Sequence, residues 1–174
     1  ARRRESVRAY AERPVPREVL DRCLAAARIA PSACNSQPWT FHMVDTDPLR
    51  AQLAEAAFAA PYGLNVFARK APVLIAVVTE RSRFVARLGG FFRGIQYSLV
   101  DIGIAVEHLC LQAAEEGLGT CWMGWFNERA VKRVLKLSRE ARVDIMVSLG
   151  WPAQPAPPRE KNRLTLEEIR RYHA

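Results

Sequence analysis

The chain has no uncharged apolar run of about 20 residues, which excludes a membrane-spanning helix. Its basic N-terminus is followed by no apolar stretch, so no secretory leader is expected. None of the four cysteines (23, 34, 110 and 121) stands two residues from another, and His42, His108 and His173 are far apart. That spacing excludes the common zinc frameworks. The thiols form no disulfide framework, so a reducing, cytoplasmic setting is expected. Cys23 and Cys110 lie on apolar helical faces and read as small core residues. Cys34 has no histidine nearby in sequence to serve as its base. There is no Gly-x-Gly-x-x-Gly turn between a strand and a helix, and strands do not alternate strictly with helices, which argues against a dinucleotide-binding fold. Internal repeats and low-complexity tracts are also lacking.

What is present is a basic chain of one domain's length, 174 residues with a formal charge of +8. A chain of that length can bury about 70% of its unfolded surface. The positive excess invites anionic partners: a phosphorylated cofactor, pyridine nucleotides or nucleic acid. The cations are scattered, with small clusters at Arg2–Arg4 and Arg170–Arg171. No basic stripe interleaved with aromatics marks a nucleic-acid surface.

Periodicity predicts a helix starting at Pro16, with Leu20, Cys23, Leu24 and Ala27 inward, and ending at Pro31. Residues 39–45 read as a strand with Trp39, Phe41 and Met43 on one face. Asp47-Pro48 opens a short helix through Leu49, Leu53 and Ala57. Residues 72–79 are continuously apolar and β-branched, as in a central strand buried on both faces. Residues 81–93 interleave arginines with phenylalanines, a pattern compatible with an amphipathic segment near a site or with a surface connection.

A long helix is expected over about 94–116, with Leu99, Ile102, Val106, Leu109, Cys110 and Ala113 buried, Gly103 allowing close backbone approach, and most sides covered. Gly117 ends it. Asn127 caps a helix through Val131, Val134 and Leu135, and residues 143–150 form a last core strand. Residues 152–158 are a proline-rich arm. Thr165 and Glu168 make a capping box for a short final helix. The expectation is an α+β fold in a single domain, 1–174, with 152–174 as a C-terminal arm and short helix.

The densest cluster of hydrogen-bonding side chains is Ala30-Pro31-Ser32-Ala33-Cys34-Asn35-Ser36-Gln37-Pro38-Trp39. It suits a planar ligand with polar edges. Near the start runs Arg4-Glu5-Ser6-Val7-Arg8-Ala9-Tyr10; later come Gly117-Leu118-Gly119-Thr120-Cys121-Trp122-Met123-Gly124-Trp125-Phe126-Asn127 and Lys161-Asn162-Arg163. Together, and in this order, these segments resemble the FMN-dependent nitroreductase family. The resemblance implies a mostly antiparallel central sheet flanked by helices, in an intertwined homodimer with FMN at the subunit interface. It also implies transfer of two electrons from NADH or NADPH through the flavin to a small-molecule oxidant such as a nitroaromatic or a quinone. A shared pocket for donor and acceptor predicts ping-pong kinetics, with parallel double-reciprocal lines.

Residue by residue, the resemblance implies that Arg4, Ser6, Lys161 and Arg163 hold the phosphate, with Glu5 contributing backbone. Arg8 falls near the flavin pyrimidine, where a cation would stabilise the reduced anion, and Asn65 matches a ring-edge contact. Pro31, Ser32, Ala33 and Asn35 match the loop that reaches the flavin from the partner subunit. Met123, Gly124 and Trp125 match the loop near N5, although many members carry Glu-Gly where this chain has Gly-Trp. Gln37, Pro38 and Trp39 read as loop support, Trp122 and Phe126 as core, and Asp101 as a buried hydrogen-bonding group. No side-chain acid or base is assigned, since the flavin carries the redox chemistry. Two other classes stay open: a flavin-binding protein without NAD(P)H turnover, and a basic nucleic-acid-binding domain.

Overall fold

A computed structural model describes residues 1–79, 95–154 and 160–173. The 81–93 segment lies outside the described residues, as does most of the 152–158 arm.

Four strands, β1 (Trp39–Val44), β2 (Val73–Thr79), β3 (Gly119–Met123) and β4 (Arg142–Gly150), form one antiparallel sheet in the order β1-β2-β4-β3. The run of apolar residues in β2 follows from this position, because both faces of the strand are covered. Leu74, Ala76 and Val78 enter one core with α2 (Leu49–Phe58) and α4 (Glu128–Val134). Val73, Ile75 and Val77 enter the other with α1 (Arg17–Arg28) and α3 (Tyr97–Glu115). A sheet between two helical layers therefore needs alternate β2 residues on both sides to be apolar. On β1, Trp39, Phe41 and Met43 share the α1/α3 side, as their spacing predicts.

Two expected caps are formed, whereas Pro48 and not Asp47 is the N-cap of α2, with Asp47 Oδ1 accepting from Ala51 N–H at 3.1 Å. The Asn127 side chain accepts from Ala130 N–H at 3.1 Å, and Thr165 and Glu168 complete a capping box for α5 (Leu166–Ile169). Gly117, at φ +81, ends α3. Other expectations need correction. Pro16 has extended ψ and caps α1 rather than opening it, and the helix stops at Arg28. Ala30, directly before Pro31, is disfavoured in the helical region, so the chain unwinds ahead of the proline. β3 was not expected as a strand. Leu99 is 46% exposed and Val100 53% exposed. A Cβ on Gly103 would meet nothing within 4 Å, so its missing side chain accommodates no neighbour in this chain. One face of α3 is thus apolar and open.

The N-terminal segment continues the sheet edge. Ser6 pairs with Thr120 in parallel, and Val7 N–H donates to Thr120 O at 2.9 Å. The Tyr10 hydroxyl donates to Val7 O at 2.8 Å and lies 2.8 Å from Ser148 Oγ. Burial pushes its pKa well above the ordinary phenol value.

Cys23, Cys110 and Cys121 are buried, whereas Cys34 is exposed. Burial pushes the Cys23 thiol up to about 12 and raises Cys110 and Cys121 as well. Iodoacetamide is accordingly expected to add once to the native protein, at Cys34, and at all four cysteines in denaturant; intact-mass spectrometry reads the count.

Between α1 and the end of α3, Arg22 makes a two-pronged pair with Glu116 at 2.7 and 2.8 Å, and Gln112 adds a third bond to the carboxylate at 2.9 Å. These donors, Arg22 foremost, hold Glu116 down from 4.5 to about 2. A depressed folded pKa means that the contribution is complete above the unfolded value. It is lost as pH falls through the folded one. Melting curves of wild type and Arg22→Ala should therefore differ near neutrality and converge as pH falls from about 4.5 towards about 2.

Candidate functional site

The pairing of Ser6 with Thr120 fixes the register of the N-terminal segment. Arg4, Ser6 and Arg8 recur with period two, so an extended chain puts them on one side. Ser6 hydrogen-bonds the buried Cys121 thiol, and the Arg8 and Arg4 charges act on it from further off. Cys121 is raised chiefly by burial, and the Arg8 charge, a Ser6 hydrogen bond and the Arg4 charge oppose that rise. The Arg4 side chain is only 18% exposed, and its Nε lies 3.4 Å from Glu107 Oε1 on α3. The Arg4 N–H and the Lys161 ammonium both donate to Ala1 O, at 3.1 and 3.2 Å. Lys161 thus joins the N-terminal turn that carries Arg4. Arg163 donates to the adjacent Asn162 O and is exposed. Beside Arg4 and Glu5, an open cleft of about 270 Å³ runs over the Gly117–Thr120 turn.

Arg8 extends this group along the edge. Its guanidinium carbon stands 5.8 Å from the Phe67 ring centroid. Phe67 belongs to the 3₁₀ segment Gly63–Lys70, which also carries Asn65. Asn65 Nδ2 donates to Trp125 O at 2.9 Å, and the Trp125 indole sits 5.2 Å from Tyr62 at 47°. Trp125 is nevertheless 53% exposed. Met123 is buried and ends β3 opposite Met146, so its side chain belongs to the core, while Gly124 is exposed. Arg4, Ser6, Arg8, Asn65, Gly124, Trp125 and Lys161 therefore follow one continuous edge of the molecule.

The Pro31–Asn35 loop lies elsewhere. It feeds β1, at the sheet edge opposite β3, three strand spacings or about 14 Å away. Cys34, Asn35 and Gln37 have φ of 52, 50 and 43. Left-handed backbone costs about 1–2 kcal/mol per non-glycine residue, and hydrogen bonds around the loop oppose the cost. Ala33 N–H donates to Asp101 Oδ1 at 3.0 Å and the Ser36 hydroxyl to Asp101 Oδ2 at 3.4 Å. Gln37 N–H donates to Ser32 Oγ at 3.0 Å, and the Gln37 amide to Asn35 Oδ1 at 3.0 Å. Asp101, read from sequence as a buried hydrogen-bonding group, is 3% exposed and does bond there. A single chain does not unite this loop with the Arg4–Trp125 edge.

Sequence reasoning missed Glu107, which holds Arg4, and Tyr62, whose ring packs against that of Trp125. One signal was available. Asp101 and Glu107 are the only carboxylates between Tyr97 and Ala113 of a largely apolar helix, where a carboxylate that packs inward demands partners. No group of three or more metal-ligating side chains occurs among the described residues.

The nitroreductase family model matches residues 1–151. The chain belongs to the nitroreductase family. It is 28% identical to a nitroreductase family protein of known structure from Clostridium difficile 630. That match covers 99% of this chain and 95% of the other at a TM-score of 0.80, and the nitroreductase fold is shared. It is 29% identical to an NADH dehydrogenase of Thermus thermophilus, across 97% of this chain and 92% of that protein. It is also 27% identical to an iodotyrosine deiodinase of Thermotoga neapolitana, across 99% and 95% respectively. Family membership makes the protein an oxidoreductase.

Proposed function

We propose that this nitroreductase family member is a single-domain, FMN-dependent oxidoreductase that passes two electrons from NADH or NADPH to a small oxidant such as a nitroaromatic or a quinone. The observation that carries this reading is the convergence of Arg4, Ser6 and Arg8 on one side of the β3 edge, continuous with Asn65 and the Gly124-Trp125 loop. The residues fit the group. The Arg4 guanidinium, the Ser6 hydroxyl and the Lys161 ammonium, gathered at the N-terminal turn, suit a phosphate. A small, exposed glycine beside an amide and an exposed indole suits one edge of a flat ring. Bound FMN would supply hydride acceptance and donation at its N5.

In this reading Arg4, Ser6, Lys161 and Arg163 bind the phosphate, with the Glu5 backbone beside them, and Arg8 places positive charge near the ring. Asn65 holds the Trp125 carbonyl in place, and the Met123–Trp125 backbone lies against the ring. Pro31, Ser32, Ala33 and Asn35 complete the site from a second copy, which makes the active unit a homodimer. The open face of α3 at Leu99, Val100 and Gly103 supports that assembly. So does the apolar surface of the C-terminal segment, where Leu164, Leu166, Ile169 and Tyr172 are exposed. The buried free thiols accord with a reducing, cytoplasmic setting. No described helix is long and apolar enough to cross a membrane.

The deciding experiment is an absorbance spectrum after incubation with FMN and desalting. Retained bands near roughly 370 and 450 nm, followed by anaerobic bleaching with NADH or NADPH, are expected of such a flavoenzyme. Retained flavin that neither nucleotide bleaches would reduce the assignment to a binding protein. A folded protein that retains no flavin would overturn the cofactor, and salt-dependent capture of nucleic acid by that colourless protein would redirect the assignment.

A further inference from the structure

Asp101 is buried within α3, yet both of its oxygens are spent on a loop outside that helix. They grip the loop on either side of Cys34 and Asn35. Those two residues and Gln37 all sit in the left-handed region. Asparagine tolerates that conformation through local hydrogen bonding; cysteine and glutamine have no such preference. Left to local propensity, the segment would relax to extended or right-handed backbone. Its own bonds, Gln37 N–H to Ser32 and the Gln37 amide to Asn35, are internal and would survive a rigid-body tilt of the loop. The two bonds to Asp101 tie the loop to the body of the fold through a helix that is itself packed on α1.

We propose that Asp101 is a positioning residue for the cofactor: it presets the Ser32–Gln37 loop in the conformation that meets the flavin. This inference rests on the reading of Pro31, Ser32, Ala33 and Asn35 as flavin contacts. The carboxylate acts through the loop and touches no reacting atom. Its value is preorganisation. A loop already held in a strained shape pays no ordering cost when the ligand arrives. The same bonds explain the position of a carboxylate in the apolar stretch of α3, where an alanine or leucine would otherwise serve the core.

The test compares wild type with Asp101→Asn, Asp101→Ala and Ser36→Ala. Each is titrated with FMN, following flavin fluorescence, and the visible circular dichroism of the bound flavin is recorded. Asp101→Ala removes both acceptors and is expected to weaken FMN binding about tenfold or more, the scale of losing hydrogen bonds to a charged group. Asp101→Asn retains an acceptor for Ala33 N–H and should fall between. Ser36→Ala removes the second bond to Asp101 and should weaken binding roughly threefold, within the range of one hydrogen bond. Altered visible dichroism with native far-ultraviolet dichroism would mark a repositioned loop on an intact fold.

Should Asp101→Ala fail to fold, Asp101→Asn and Ser36→Ala decide the matter. If both bind FMN with wild-type affinity and identical visible dichroism, while only the melting temperature falls, Asp101 is a structural residue and the inference is overturned. A wild-type protein that binds no FMN overturns the proposed function itself, and this inference with it, before any variant is compared.

Discussion

Replacing Gly119 by alanine is expected to pry the N-terminal segment off β3, to cost about 1–3 kcal/mol as overpacking does, and to abolish flavin retention. A Cβ there would lie 2.5 Å from Val7 Cγ2 and 2.6 Å from Val7 Cβ. Val7 cannot yield cheaply, because its own N–H is bonded to Thr120 O at 2.9 Å, one residue beyond the clash. Tyr10 holds the Val7 carbonyl from the other side. Relief therefore requires the backbone of residues 6–8 to move, and Arg4, Ser6 and Arg8 move with it. For a domain of this size each kcal/mol lowers the melting temperature by roughly 2–4 °C. Differential scanning calorimetry reads the stability loss, and desalting after FMN incubation reads the site. A second substitution, Val7→Gly, removes the obstructing atoms and should recover part of both. Loss of stability with unchanged FMN retention would detach the N-terminal segment from the site.

The elements with local causes were legible in the sequence. The continuous apolar run of β2, the alternation of β1, the Asn127 cap and the Thr165/Glu168 box each depend on neighbours a few residues away. Their positions follow from pattern alone. β3 is a different case. It has five residues, opens on glycine, and owes its pairing to β4 and to Ser6, more than a hundred residues earlier. Strand propensity largely measures such packing, so a short strand with distant partners leaves little local trace. The open face of α3 escaped for a related reason. Helical periodicity reports that Leu99, Val100 and Gly103 avoid charge, but it does not say whether the cover comes from the same chain.

At the site, the residue types were legible from their resemblance to the family. The framework holding them was not. The left-handed backbone at Cys34 and Gln37 has no glycine to announce it. The carboxylates of Asp101 and Glu107 gain their meaning only when the fold sets the loop and Arg4 beside α3. The chain places the two groups of candidate residues at opposite edges of its sheet. In the proposed reading a second copy bridges this separation.

Arg4 carries the second large effect. Arg4→Ala is expected to weaken FMN binding about tenfold to a hundredfold, the range for losing hydrogen bonds between charged groups. Arg4→Lys should retain part of the affinity, because an ammonium keeps the charge but not the two-pronged geometry. A structural role must be separated from a phosphate role here, since Arg4 is largely buried and paired with Glu107 at 3.4 Å. Removing the arginine alone leaves the half-exposed Glu107 carboxylate without its counter-charge, a modest cost to the fold whether or not a phosphate ever binds. The double variant Arg4→Ala/Glu107→Gln removes that penalty. If the arginine serves the phosphate, the double variant should regain thermal stability while its FMN affinity stays as low as that of Arg4→Ala. Recovery of affinity along with stability would show that Arg4 matters only as the counter-charge of Glu107. The phosphate would then rest on Ser6, Lys161 and Arg163.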